Sequence, residues 1–196
     1  MTSNSSVESI ISKNNVKIFP GALVSKETEL LGDITVGSMT IVHPSVRIIA
    51  EAGPIVIGEN NIIEEKVCII NRLPPDSATP ADPPTLTIGA SNVFEVDCCI
   101  EARKIGDNNV VESKAFVGRD VELTSGCVIA ATCRVESAEV IPENTVIFGE
   151  KCSRRKQADR PPVSIRQLAR HCTQLSGVAA AFTLALQMRN FRFGEF

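Results

Sequence analysis

The stretch IGDNNVVESKAFVGRD, residues 105–120, sets aliphatic side chains at Ile105, Val111 and Val117, each six positions from the last. A helix buries a residue every three or four positions and a strand every second one, so a period of six fits neither alone. It fits a hexapeptide repeat, in which each hexad makes one short strand and one corner and three hexads close a triangular coil. Carried outward, the frame marks Ile18, Val24, Leu30, Val36, Val42 and Ile48, then Ile57, Ile63 and Ile69, then Ile88, Phe94 and Ile100, and finally Leu123, Ile129, Val135, Ile141 and Ile147. Four positions after a mark the side chain is usually small or slim, as at Ala22, Thr40, Cys98, Ala115, Cys127 and Cys133, which suits a corner. The chain is therefore expected to be all-β: a single-stranded parallel β-helix of about seven coils, roughly 33 Å tall at a strand spacing of about 4.8 Å.

A longer repeat supports the coil. The segments IGENNIIEEKV (57–67), IGASNVFEVDC (88–98) and IGDNNVVESKA (105–115) read as one face of three successive coils. Stacked, Asn61, Asn92 and Asn109 are predicted to form an inward ladder, each amide bonding the next. Gly58, Gly89 and Gly106 are expected where the backbone turns with positive φ, which glycine tolerates most cheaply. Glu64, Glu95 and Glu112 share an outward slot, so three like charges stack roughly 5 Å apart. Lys66 and Lys114, two residues along an extended strand, are expected to point the same way and neutralise the ridge; alternatively the ridge meets a basic partner surface.

The frame breaks three times. Three residues are added within AEAGP (50–54), thirteen within NRLPPDSATPADPPT (71–85), and one is missing between Ile100 and Ile105. The longer addition holds five prolines and reads as a surface loop. The organisation expected is a polar N-terminal segment at 1–15 covering the first coil, a β-helix over 16–152 with a loop insertion at 71–86, and a basic connector at 153–163. A helix or helices follow at 164–193, whose apolar stripe from Ile165 to Leu186 needs the side of the prism to bury against.

Composition narrows the function. With 43% hydrophobic residues in 196, the chain can bury a core. It has no Trp or Tyr and 4% aromatics, which leaves little for a base-stacking nucleic-acid surface. The opening MTSNSSVESIISKNNVK lacks the order of a signal peptide, and the apolar run VAAAFTLAL is too short to span a bilayer, so a soluble cytoplasmic chain is expected. Seven cysteines without a CxxC fit neither a disulfide framework nor a zinc site, and mostly buried thiols are expected. Residues 1–150 carry a net −10 and residues 151–196 a net +7.

Prisms of this kind serve acyltransferases and γ-class carbonic anhydrases, which need histidine as base or as metal ligand. Here only His43 and His171 are present. His43 is read as solvent-facing scaffold; the competing enzyme reading is a homotrimeric acyltransferase or γ-carbonic-anhydrase-like metalloenzyme with His43 at a subunit junction. Cys127 and Cys133 read as buried filler, and Arg154, Arg155 and Lys156 as partners for the acidic body rather than for nucleic acid. No catalytic, cofactor-binding or metal-binding residue is assigned.

The stretches IIAEAGPIVIGENNIIEE (48–65), IGASNVFEVDC (88–98), IGDNNVVESKAFVGRDVELTSGCVIAATC (105–133) and EVIPENTVIFGEKCSRR (139–155) resemble the β-helical subunits of the dynactin pointed-end complex. The likeness runs over residues 16–155 and takes in the AEAGP bulge and the proline-rich insertion. It implies a left-handed β-helix with a C-terminal helical segment, related in fold to γ-class carbonic anhydrases but without their three-histidine metal site. It also implies a non-enzymatic role without cofactors, in the cytoplasm and on the cytoskeleton. The implied partners are dynactin subunit 5, the actin-related pointed-end protein and the p62-type dynactin subunit, within the dynein–dynactin complex and its recognition of cargo and adaptors. Candidate contact residues are Glu64, Glu95 and Glu112 on the ridge, Arg119 and Glu122 on one face, and Glu143 and Asn144 at the last coil.

Overall fold

A computed structural model describes residues 14–73 and 84–157 of the chain. The expected N-terminal cover, the middle of the proline-rich insertion, the far part of the connector and the helical segment at 164–193 lie outside the described residues. Within them, the strands form three sheets of seven, eight and six members. The first sheet runs from Asn15–Ile18 to Glu139–Ile141, the second from Leu23–Val24 to Ser153–Lys156, and the third from Glu29–Leu31 to Arg134–Val135. Up to Thr145–Phe148, strands consecutive in sequence go to different sheets and pair in parallel with the neighbouring coil, as a stack of triangular coils requires.

The six-residue frame supplies the interior. Val36, Ile57, Ile88, Ile105, Leu123 and Ile141 stack in register along the first sheet, each at most 1% exposed. Burying each such side chain stabilises by about 1.5–3 kcal/mol. Both additions leave this register intact: Val36 still pairs with Ile57, and Ile57 with Ile88. Asn71 anchors the bases of both, its Nδ2 donating to the carbonyls of Gly53 (2.9 Å), Pro54 (3.2 Å) and Pro84 (2.6 Å).

The three outer faces differ in chemistry. On the first sheet Thr87, Lys104, Glu122 and Val140 follow one another in register. On the second the outer column is aliphatic from Leu23 and Ile41 through Ile62, Val93 and Val110 to Val128 and Val146, and ends on Arg155 of the last strand. On the third it reads Glu29, Arg47, Cys68, Cys99, Phe116 and Arg134, with the Arg134 guanidinium 4.3 Å from the Phe116 ring centre.

Two sequence readings need correction. Gly58, Gly89 and Gly106 are not the positive-φ positions; that conformation falls two residues later, at Asn60 (57°), Ser91 (58°) and Asn108 (56°). The glycines are required by close stacking instead. A Cβ on Gly58 would lie 2.6 Å from the Gly89 carbonyl oxygen, and one on Gly89 2.7 Å from that of Gly106, distances no real Cβ keeps. Ser153–Lys156, read as the start of a basic connector, is a strand that turns back antiparallel on Thr145–Phe148 and forms the next layer of the second sheet.

Candidate functional site

The Asn ladder forms as expected and reaches further. Asn92 Nδ2 donates to Asn61 Oδ1 (3.0 Å) and Asn109 Nδ2 to Asn92 Oδ1 (3.1 Å). Each Oδ1 also accepts the backbone N–H of the residue stacked on it: Asn92 on Asn61 (2.9 Å), Asn109 on Asn92 (2.8 Å), and Cys127 on Asn109 (2.7 Å). Thr40 begins the column, its hydroxyl accepting the Asn61 N–H at 3.2 Å. Thr40 and all three asparagines are fully buried, so the column supports the fold and offers nothing to a ligand.

Glu64, Glu95 and Glu112 stack on the edge between the second and third sheets, half-buried. Their neutralisation differs from the expectation. Lys66 and Lys114 lie at corners with φ near +60°, so they do not follow the glutamates along an extended strand. The next coil compensates instead. Glu64 accepts the Val96 N–H (3.1 Å), Glu95 accepts the N–H and hydroxyl of Ser113 (3.1 Å each), and Glu112 accepts the Ala131 N–H (2.9 Å). The ridge is thus a rigid row of backbone-anchored carboxylates, one per coil.

His43 also departs from its reading. It occupies the slot below Glu64 in the same column, yet its side chain is fully buried, with Nδ1 3.0 Å from Glu65 Oε1. Alternation along a strand tells which side the ring leaves from, not whether the neighbouring coil's Glu65 meets it there. An imidazole closed off within its own chain is poorly placed for a subunit junction. Among the described residues no group of three metal-ligating side chains comes together.

The remaining candidates fall on other edges. Arg119 turns the corner from the third sheet to the first, and its Nη2 lies 3.8 Å from Glu101 Oε2. Glu122 stands on the first sheet in register with Lys104, an opposite-charge cross-strand pair. Glu143 is exposed at the last corner between the first and second sheets. Asn144, beside it with φ 58°, has its backbone paired both ways, its N–H to Ser125 (3.0 Å) and its carbonyl to Gln157 (2.8 Å). The sequence candidates thus occupy three separate edges and one face and do not converge on one site.

The two ends of the prism are unlike. In the first coil Ile18, an inward position of the frame, is 50% exposed, as is Phe19 beside it. At the other end Ile141 and Ile147 are 0% exposed. There the returning strand Ser153–Lys156 is fastened by Arg154, which forks onto Glu139, Nη2 to Oε1 at 2.5 Å and Nη1 to Oε2. The Arg154 hydrogen bond holds the Glu139 carboxyl below the usual carboxylate range and raises the guanidinium in return.

One pair went unnoticed in the sequence. Cys68 and Cys99 lie opposite each other on the third sheet, both partly exposed. The signal was available, since each immediately precedes a position of the six-residue frame, Ile69 and Ile100.

No model of a known protein family matches the chain. Among solved structures, the hexapeptide transferase family protein from Anaplasma phagocytophilum superposes with a TM-score of 0.55 at 14% identity, covering 90% of this chain and 93% of that one. That likeness shows the fold alone, the hexapeptide-repeat left-handed β-helix. Over 156 residues the chain is 58% identical to dynactin subunit 6 of Xenopus tropicalis, covering 79% of this chain and 78% of that protein. Over 159 residues it is 54% identical to dynactin subunit 6 of Danio rerio, covering 80% and 82%. On these identities, carried across most of both proteins, the chain belongs to the dynactin subunit 6 family.

Proposed function

We propose that this chain is a non-catalytic structural subunit of the dynactin pointed-end complex. It pairs with the sister β-helical subunit, dynactin subunit 5, beside the actin-related pointed-end protein and the p62-type subunit. There it supports recognition of cargo and adaptors by dynein–dynactin, in the cytoplasm and on the cytoskeleton.

The observation that carries this reading is the inequality of the two ends. An end coil is a row of strand edges, and an unpaired edge invites another strand. The last coil has a returning strand on its second-sheet edge, pinned by Arg154 and Glu139. The first coil presents Ile18 and Phe19 half exposed, an apolar anchor on a rigid frame that loses little entropy on docking. The first coil is therefore assigned to the sister subunit, and the carboxylate ridge to a basic partner surface. The enzyme alternative requires an imidazole open to a second subunit, and His43 is closed off.

The test is co-purification with dynactin subunit 5. Ile18→Asp with Phe19→Ala should lower recovery at least tenfold, the loss of about 1.4 kcal/mol or more of binding, with the circular dichroism spectrum unchanged. Arg119→Ala with Glu122→Ala, Glu143→Ala with Asn144→Ala, and Glu95→Lys with Glu112→Lys report on the other three surfaces in the same assay. Full recovery with the first-coil pair, and loss with one of the others, moves the interface to that surface. A pull-down from cytosol that brings no dynactin chain removes the reading altogether.

A further inference from the structure

We propose that Cys68 and Cys99 form a peroxide-responsive dithiol on the outside of the third sheet, with Cys68 the attacking thiolate and Cys99 the resolving thiol. The register brings them together. Strands Cys68–Asn71 and Cys99–Ile100 are adjacent and parallel, with Cys99 directly opposite Cys68. Ile69 and Ile100, the next residues, are 0% exposed in the core, so both thiols leave the outer side of the sheet. Both are reduced and partly exposed. Neighbouring strands run about 4.7–4.9 Å apart, within the roughly 4.4–6.8 Å Cα separation that a disulfide spans.

The surroundings divide the labour. Arg47 occupies the same outer column one coil away, opposite Cys68, and Arg72 follows on the same stretch of chain. The Cys99 thiol, hydrogen-bonded to Cys68, and then the charges of Arg47 and Arg72 bring the Cys68 thiol down to about 7, against burial and the Glu101 carboxylate. The same hydrogen bond, with burial, raises Cys99, which therefore waits protonated. A low-pKa, accessible thiol beside a resolving cysteine is the arrangement that peroxide sensing requires. Of the other described cysteines Cys98, Cys127 and Cys133 are shielded, and Cys152 is partly exposed. Cys98, adjacent in sequence, points into the core, where burial pushes its thiol far up; Cys127 is fully buried, and Cys133 is raised to about 11 by burial and by a hydrogen bond with Cys152.

The chemistry balances with a hydroperoxide as oxidant. The Cys68 thiolate attacks one peroxide oxygen and the O–O bond breaks. The departing alkoxide, or hydroxide from hydrogen peroxide, takes a proton, and Cys68 becomes a sulfenic acid, oxidised by the two electrons that reduce the peroxide. Cys99 then attacks the Cys68 sulfur. The S–S bond forms, the S–O bond breaks, and the hydroxide leaves as water with the Cys99 proton. A small dithiol restores the pair by thiol–disulfide exchange. Oxidation ties two coils together and removes a negative charge beside Arg47 and Arg72, which keep their ion pairs with Glu29 and Glu101.

The experiment uses the full chain, reduced and then treated with hydrogen peroxide, followed by intact mass and peptide mapping. The expected result is the loss of two hydrogens, a Cys68–Cys99 linked peptide, and consumption of Cys68 at least tenfold faster than of Cys152, with a rate that rises as pH passes through about 7. Cys99→Ser should halt at a sulfenic acid on Cys68, trapped by dimedone, while Cys98→Ser should leave the bridge unchanged. A linkage through Cys98 instead, or Cys68 and Cys152 consumed at equal rates, overturns the proposal. These readouts are independent of dynactin, so they stand whether or not the partner assignment does.

Discussion

Two columns of repeated side chains rise through the same three coils, Asn61, Asn92 and Asn109 inside and Glu64, Glu95 and Glu112 on an edge. Both capture the backbone N–H groups of the next coil. They differ in what happens when a member is lost. The asparagines are fully buried and bond one another, so a missing partner leaves donors stranded in a dry interior. The glutamates are half exposed, and water can replace what they give up. Identical stacking geometry therefore yields a structural spine in one place and an accessible charged ridge in the other, and the local solvent decides which.

That contrast can be broken by mutation. The largest effect is expected for Asn92→Ala, which deletes the hydrogen bonds that Asn92 Oδ1 and Nδ2 make and strands the N–H and Nδ2 of Asn109. A loss of about 3–5 kcal/mol is expected, read from the urea midpoint at constant m-value. Gly89→Ala comes next. Its new Cβ meets the Gly106 carbonyl carbon at 2.8 Å and the oxygen at 2.7 Å, backbone atoms that cannot move aside without shifting a coil. About 1–3 kcal/mol of destabilisation is expected, and a neutral or stabilising result would mean that the coils stack less tightly than described. Glu95→Ala should be smallest, about 0.5–1 kcal/mol, because the Ser113 N–H it releases is near the surface. Equal losses for Asn92→Ala and Glu95→Ala would erase the distinction between the two columns.

Much of the architecture was legible in the residues. The six-residue frame named the inward positions, and the three IG-x-x-N segments placed Asn61, Asn92 and Asn109 in one column; both follow from period, which survives insertions as long as register does. The environment of single side chains was less legible. Lys66 and Lys114 were expected to answer the glutamates, but their corners take positive φ and the backbone N–H groups of the next coil do that work. Sequence position marks the glycines as turn residues, whereas the constraint on them comes from another coil's backbone. His43 lay at an outward position and is buried against Glu65.

By itself, then, the amino-acid order determined the period, the three-sided coil and the address of every column, because a covalent repeat of eighteen residues sets which positions come to lie above one another. Tertiary structure alone decided what each address means: that one end of the prism carries a returning strand while the other presents Ile18 and Phe19, and that Cys68 and Cys99 share an outer face with Arg47. Those properties belong to atoms brought together from different coils, and the distances and water around them exist only once the coils have closed.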